Sequence, residues 1–129
     1  MKQVQRLTEN LEELGHTVFS YVKDTRNFVP SEELNKQSAL FTPGTDWKNN
    51  KDLRLLFERL LSGLEASDVV VLLLPAGKTS HIEAGIAYGL NKHLVLIGEP
   101  EKPETHYQIF DEQHATIEEY VAALRKVSG

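Results

Sequence analysis

The residues of this 129-residue chain best placed to do chemistry lie in one stretch, Pro75-Ala76-Gly77-Lys78-Thr79-Ser80-His81-Ile82-Glu83. Ser80-x-x-Glu83 has two physical readings. As a capping box, the serine oxygen accepts the amide of the third helical residue while the carboxylate reaches back to the cap amide, which accounts for both side chains without any chemistry. Released from that duty, the carboxylate can attack the anomeric carbon of a sugar, or stabilise positive charge developing on it, as glycosyl cleavage requires. Free amides at a helix start, preceded here by Gly77 and Thr79, favour an anionic group beside it. The direction in which Glu83 points separates the two readings.

The neighbouring candidates are weaker. His81 stands beside the same helix start, where it can meet a phosphate or a base or simply be solvated. Lys78 can pair with a phosphate, yet the G-x-x-x-x-G-K-[ST] spacing of a P-loop is absent, since no glycine precedes Gly77 at the required distance. Asp24 and Tyr21, at the end of an earlier strand candidate, can reach the same cleft. His16, His93, His106 and His114 show no metal-ligand spacing, and no metal or cofactor is expected. With no cysteine there is no disulfide, thiolate metal site or cysteine nucleophile.

The elements that must hold these residues follow from hydrophobic periodicity. Val69–Leu74 and Leu94–Ile97 are short apolar runs rich in β-branched residues, joined by the glycine-bearing turn and a small-residue helix over about 80–90. That is a βαβ unit of a buried parallel sheet, and open α/β folds place ligands at the carboxyl ends of such strands. Ahead of it, Val4, Leu7, Leu11 and Leu14 recur at helical spacing, with Gly15 as the stop of a helix over 2–14. A strand over 17–22 follows, then a long irregular connection over 25–49 carrying Phe41 and Trp47, and a helix over about 49–66 whose stripe comprises Leu53, Leu56, Phe57, Leu60, Leu61 and Leu64. Beyond the second apolar run come a proline-marked loop at 98–103, a short strand or turn at 107–110, and a last helix capped by Thr116. Alternating helices and strands predict a single domain over 1–129: a three-layer α/β sandwich on a mostly parallel sheet. The chain opens on a helix where such folds usually open on a strand, so the usual first strand is expected to be missing or supplied by another element.

Ala84, Gly85, Ala87 and Gly89 give the central helix an unusually small surface. Two glycines inside a helix cost roughly 1 kcal/mol each relative to alanine, and close packing against the sheet or a symmetry mate would offset them. A homo-oligomer is therefore expected. The formal charge of −5, with no basic cluster, argues against a nucleic-acid polymer as partner. No stretch has the apolar length of a membrane span and no signal peptide opens the chain, so a cytoplasmic protein is expected.

Asp68-Val-Val-Val, Leu74-Pro-Ala-Gly-Lys-Thr-Ser80-His-Ile-Glu83-Ala-Gly85 and Asn91-Lys92 together resemble the nucleoside 2-deoxyribosyltransferase-like superfamily. They are most similar to a bacterial branch of it with a P-A-G-[RK]-[ST]-[SA]-H-x-E-x-G signature. The similarity extends to Gly15-His16-x-Val18, Trp47 and the Pro-Glu…Tyr107 segment. The resemblance implies a flavodoxin-like fold, a homo-oligomer with sites near subunit interfaces, and cleavage of the N-glycosidic bond of deoxynucleosides or their monophosphates. Glu83 would be the nucleophile, with Gly77 and Ser80 holding the sugar or its 5′-phosphate and His81, Asp24 and Trp47 as further binding candidates. Two departures keep a second function open. The opening strand and its glycine loop are absent, and the aspartate that active relatives carry eight residues before the position of Asp68 is Leu60 here. A non-catalytic nucleotide-binding module of the same fold fits those departures, and a purely structural oligomer is the third alternative.

Overall fold

The computed structural model describes residues 2–18 and 43–128. Contacts divide the chain into two units, Met1–Val18 with Leu64–Gly129, and Phe19–Gly63. The strand expected over 17–22 and the candidate residue Asp24 fall, from residue 19 on, outside the described residues.

Within the first unit, α1 (Lys2–Glu13) is amphipathic and buries Leu7. It stops where the sequence predicts. Gly15 takes φ +92°, His16 N–H donates to the Leu11 carbonyl and Gly15 N–H to that of Glu12, satisfying the carbonyls that the last turn leaves open. Strand β1 (Val69–Leu73) leads through α3 (Lys78–Gly89) to β2 (His93–Ile97); α2 is the helix Lys51–Ala66. A 3-10 turn over Thr105–Ile109 then precedes β3 (Glu112–His114) and α4 (Ile117–Ser128). All pairings are parallel, in the order β1-β2-β3, with Val71 opposite Val95 and Ile97 opposite His114.

Side chains alternate across a strand, and here each set finds its own helical layer. Val71, Leu73, Val95 and Ile97 pack with Leu7 and Leu11 of α1, with Leu14 just past its end, and with Ile117, Tyr120, Val121 and Leu124 of α4. Val70 and Leu94 pack on the other face with Ile86 and Ala87 of α3, Leu64 from the last turn of α2, and Ile109 and Phe110. The fold is mixed α/β, compatible with the predicted sandwich. Among the described residues no helix is long and apolar enough to cross a membrane.

Two local expectations need correction, and the alternative left open at 107–110 is decided. Of strand or turn at 107–110, the turn holds: the segment belongs to the 3-10 turn and its exit, and the third strand lies just beyond it in Glu112-Gln113-His114, which carries no apolar pattern to betray it. Phe57, placed on the buried stripe of α2, is exposed, with the Arg54 guanidinium 5.6 Å from its ring centre. The helix over 80–90 begins two residues early, at Lys78. At the other end Asn91 terminates it, adopting φ 61° while Lys92 N–H returns to the Ala87 carbonyl.

The second unit is described over 43–63. Asn50 caps α2, its Oδ1 accepting the N–H groups of Asp52 (3.0 Å) and Leu53 (3.1 Å). Trp47, in the turn before that cap, is 70% exposed, so it anchors nothing there.

Candidate functional site

The early start of α3 decides how Glu83 can be used. Gly77, in an extended conformation (φ −82°, ψ −175°), is the N-cap and contributes no side-chain bond. Ser80 is then the third helical residue and Glu83 the sixth, beyond the first turn, so the S-x-x-E box is not formed at this helix. The T-x-x-E of α4 does cap its helix: Glu119 N–H donates to Thr116 Oγ1 (3.1 Å), and the Glu119 carboxylate accepts from Ala115 N–H (3.2 Å), one residue ahead of the cap. Sequence spacing alone cannot distinguish the two sites. The difference lies in where the backbone first turns helical.

Ser80, Glu83 and Ala84 line one wall of a pocket of about 170 Å³. Val4 and Leu7 of α1 form the facing wall, and Val70 to Leu73 of β1 the floor. Glu83 is half-buried and makes no hydrogen bond or ion pair to any described residue, and desolvation pushes its carboxyl above the usual glutamate range. The pocket is therefore lined by an acid whose neutral form burial favours, with one hydroxyl a helical turn away. Val4 and Leu7 had no sequence signal for this role beyond their place on an amphipathic stripe.

The remaining candidates separate. Gly77 is exposed, with open space where a Cβ would stand. His81 is partly exposed and is not among the residues lining the pocket: its Nδ1 lies 2.8 Å from the Gly77 carbonyl and its Nε2 3.1 Å from Tyr107 Oη. A carbonyl only accepts, so Nδ1 carries a proton, and Nε2 shares a hydrogen bond with the tyrosine hydroxyl. The rings meet edge-on at 5.9 Å, and Tyr107 stacks on Phe110. His81 thus ties the 3-10 turn to the start of α3. Sequence reasoning missed this pair because 26 residues separate its members. Trp47 belongs to the other unit and Asp24 is outside the described residues.

A second polar cluster lies apart from the pocket. Glu112 accepts from His93 Nε2 (2.6 Å) and His114 Nε2 (2.7 Å), and Asp111 Oδ2 accepts Leu94 N–H at 2.8 Å. The two imidazoles hold the Glu112 carboxyl below its usual range. Among the described residues, no three His, Cys, Asp or Glu side chains are arranged to hold a metal ion. No known protein family, curated protein or solved structure matches the chain.

Proposed function

We propose that this chain is a nucleoside 2-deoxyribosyltransferase-like protein of flavodoxin-like fold that cleaves the N-glycosidic bond of deoxynucleosides or deoxynucleotides, with Glu83 as nucleophile. The observation that supports this most is that Glu83 caps no helix: it stands unpartnered among the described residues on a pocket wall, one turn from Ser80. In the first step a Glu83 oxygen bonds to C1′ as the C1′–N bond breaks. The base leaves with the bonding electrons and takes a proton from water. Water, or a second base, then displaces the carboxylate from C1′. Ser80 Oγ and the uncapped amides at the start of α3 orient the sugar or its 5′-phosphate. The protein acts as a cytoplasmic homo-oligomer.

A second reading, a nucleotide-binding module without turnover, draws on pocket size and on Leu60. Small-molecule sites usually span about 300 to 1,000 Å³, against the 170 Å³ here. A leucine at 60 also removes the acid that active relatives would use to assist the leaving base, and such groups typically contribute ~10²- to 10⁴-fold. Incubation with deoxynucleosides and their 5′-monophosphates, with chromatography of the free base, distinguishes the readings. The enzyme releases base and Glu83→Gln abolishes that release. Undiminished release by Glu83→Gln removes Glu83 from the chemistry, whereas thermal stabilisation by a nucleotide with no base formed establishes the binding module.

A further inference from the structure

The pocket floor has a property that the sugar-cleaving reading does not use. Four consecutive residues of β1, Val70 to Leu73, line it. Their side chains alternate between the two faces of the sheet, so what they share is the backbone edge. The pocket is thus a slot along the outer edge of β1, walled by α1 on one face of the sheet and α3 on the other. β1 pairs with β2 and with no other strand among the described residues.

The ladder fixes which groups face that slot. His93 N–H donates to the Asp68 carbonyl (3.2 Å) and Leu74 N–H to the Ile97 carbonyl (2.9 Å). In a parallel ladder, alternate residues turn both backbone groups toward the same neighbour. Asp68, Val70, Leu72 and Leu74 therefore address β2, and the N–H and C=O of Val71 and Leu73 point into the slot. Both residues are partly buried, and no strand among the described residues pairs with that edge, where unpaired backbone groups are costly. The α3 wall adds an acid with no counter-charge among the described residues, Glu83, flanked by the small side chains Ser80 and Ala84. The chain as a whole carries −5, which favours a basic occupant.

We propose that this slot takes up an extended peptide segment as a further strand on β1, with apolar side chains toward Val4 and Leu7 and a Lys or Arg side chain toward Glu83. Backbone pairing to Val71 and Leu73 supplies the affinity and the acid selects the basic residue. This inference rests on the open edge and stands independently of the proposed glycosidic chemistry.

The test uses the full chain and a synthetic probe, acetyl-Val-Thr-Val-Lys-Val-Thr-amide, with amide hydrogen exchange followed by NMR. In the free protein the Val71 and Leu73 amides exchange quickly while those of Val70 and Leu72 are protected. Saturating peptide slows Val71 and Leu73 at least about 10-fold, the equivalent of one or two hydrogen bonds, and leaves Val70 and Leu72 unchanged. A probe with Glu in place of Lys binds more weakly, and Glu83→Gln brings the two probes to within about 2-fold of each other. An N-methylated probe, lacking the pairing amides, does not bind. Absence of saturable binding, binding without protection at Val71 and Leu73, or full binding by the N-methylated probe overturns the proposal. So does protection already present in the free protein: if it rises with protein concentration the occupant is a second copy, and if it does not the chain fills its own slot. Base release by the intact protein is measured separately, and its outcome does not alter these readings.

Discussion

Glu83 and Glu112 are both carboxyls shifted by their surroundings, in opposite directions and for opposite reasons. Glu83 loses water without gaining a partner, so its proton is held to higher pH in the native state than in the unfolded chain. Its linkage follows: stability falls as pH rises through the native value, and the relief is complete below the unfolded value. The difference in melting temperature between Glu83→Gln, a neutral isostere, and wild type should therefore shrink as pH falls from above the native value toward the unfolded one. If Glu83 acts as nucleophile, the acidic limb of kcat/KM should also lie above the ordinary glutamate range, because only the ionised form attacks. Glu112 behaves the other way. Hydrogen bonds from His114 and His93 favour its charged form, so the stability it contributes is present above the unfolded value and lost as pH falls through the native one.

At the scale of elements, α3 carries the features that sequence raised and structure redistributed. Ala84 and Ala87 pack on the sheet, at 2% and 0% exposure, and their small size is used there. Gly85 and Gly89 face outward, with open space where a Cβ would stand, so packing on the sheet, one of the two explanations offered by the sequence, does not account for them. Ile82 and Tyr88 are exposed on the same helix. In dilute monomer, Gly85→Ala and Gly89→Ala should each stabilise by about 0.5–1 kcal/mol in chemical denaturation. If the expected homo-oligomer packs through this helix, the same changes should weaken association in sedimentation measurements, so the two readouts move in opposite directions. The β2–β3 pairing offers a second test. His93 and Glu112 couple strands that are short and, at β3, polar. A double-mutant cycle on His93→Ala and Glu112→Ala should give roughly 0.2–1 kcal/mol near neutral pH, the range of exposed ion pairs. That coupling should vanish once acid protonates Glu112.

For the molecule, the first unit depends on β2, whose Leu94 to Ile97 are all nearly fully buried between the two helical layers. Leu94 touches the α3 side and Val95 and Ile97 the α1–α4 side. Leu94→Ala should cost about 2–5 kcal/mol in denaturant unfolding, the range for a truncated buried leucine. In an assembly of this size that is a large share of the typical 5–15 kcal/mol total.

The βαβ core, the amphipathic opening helix and the caps at Gly15 and Thr116 were legible in the sequence, because each depends on local spacing or on one residue's own conformational preference; which apolar strand residues face which helical layer was not, since both faces are apolar. β3 was not, since Glu112-Gln113-His114 has no apolar signature and is fixed by its neighbours. Nor was the fate of Glu83. Serine and glutamate at i and i+3 stand in the sequence alike whether they close a helix or sit inside one. Only the folded backbone, turning helical at Lys78 and laying α1 across from α3, freed that acid from the cap and put the open edge of β1 beside it.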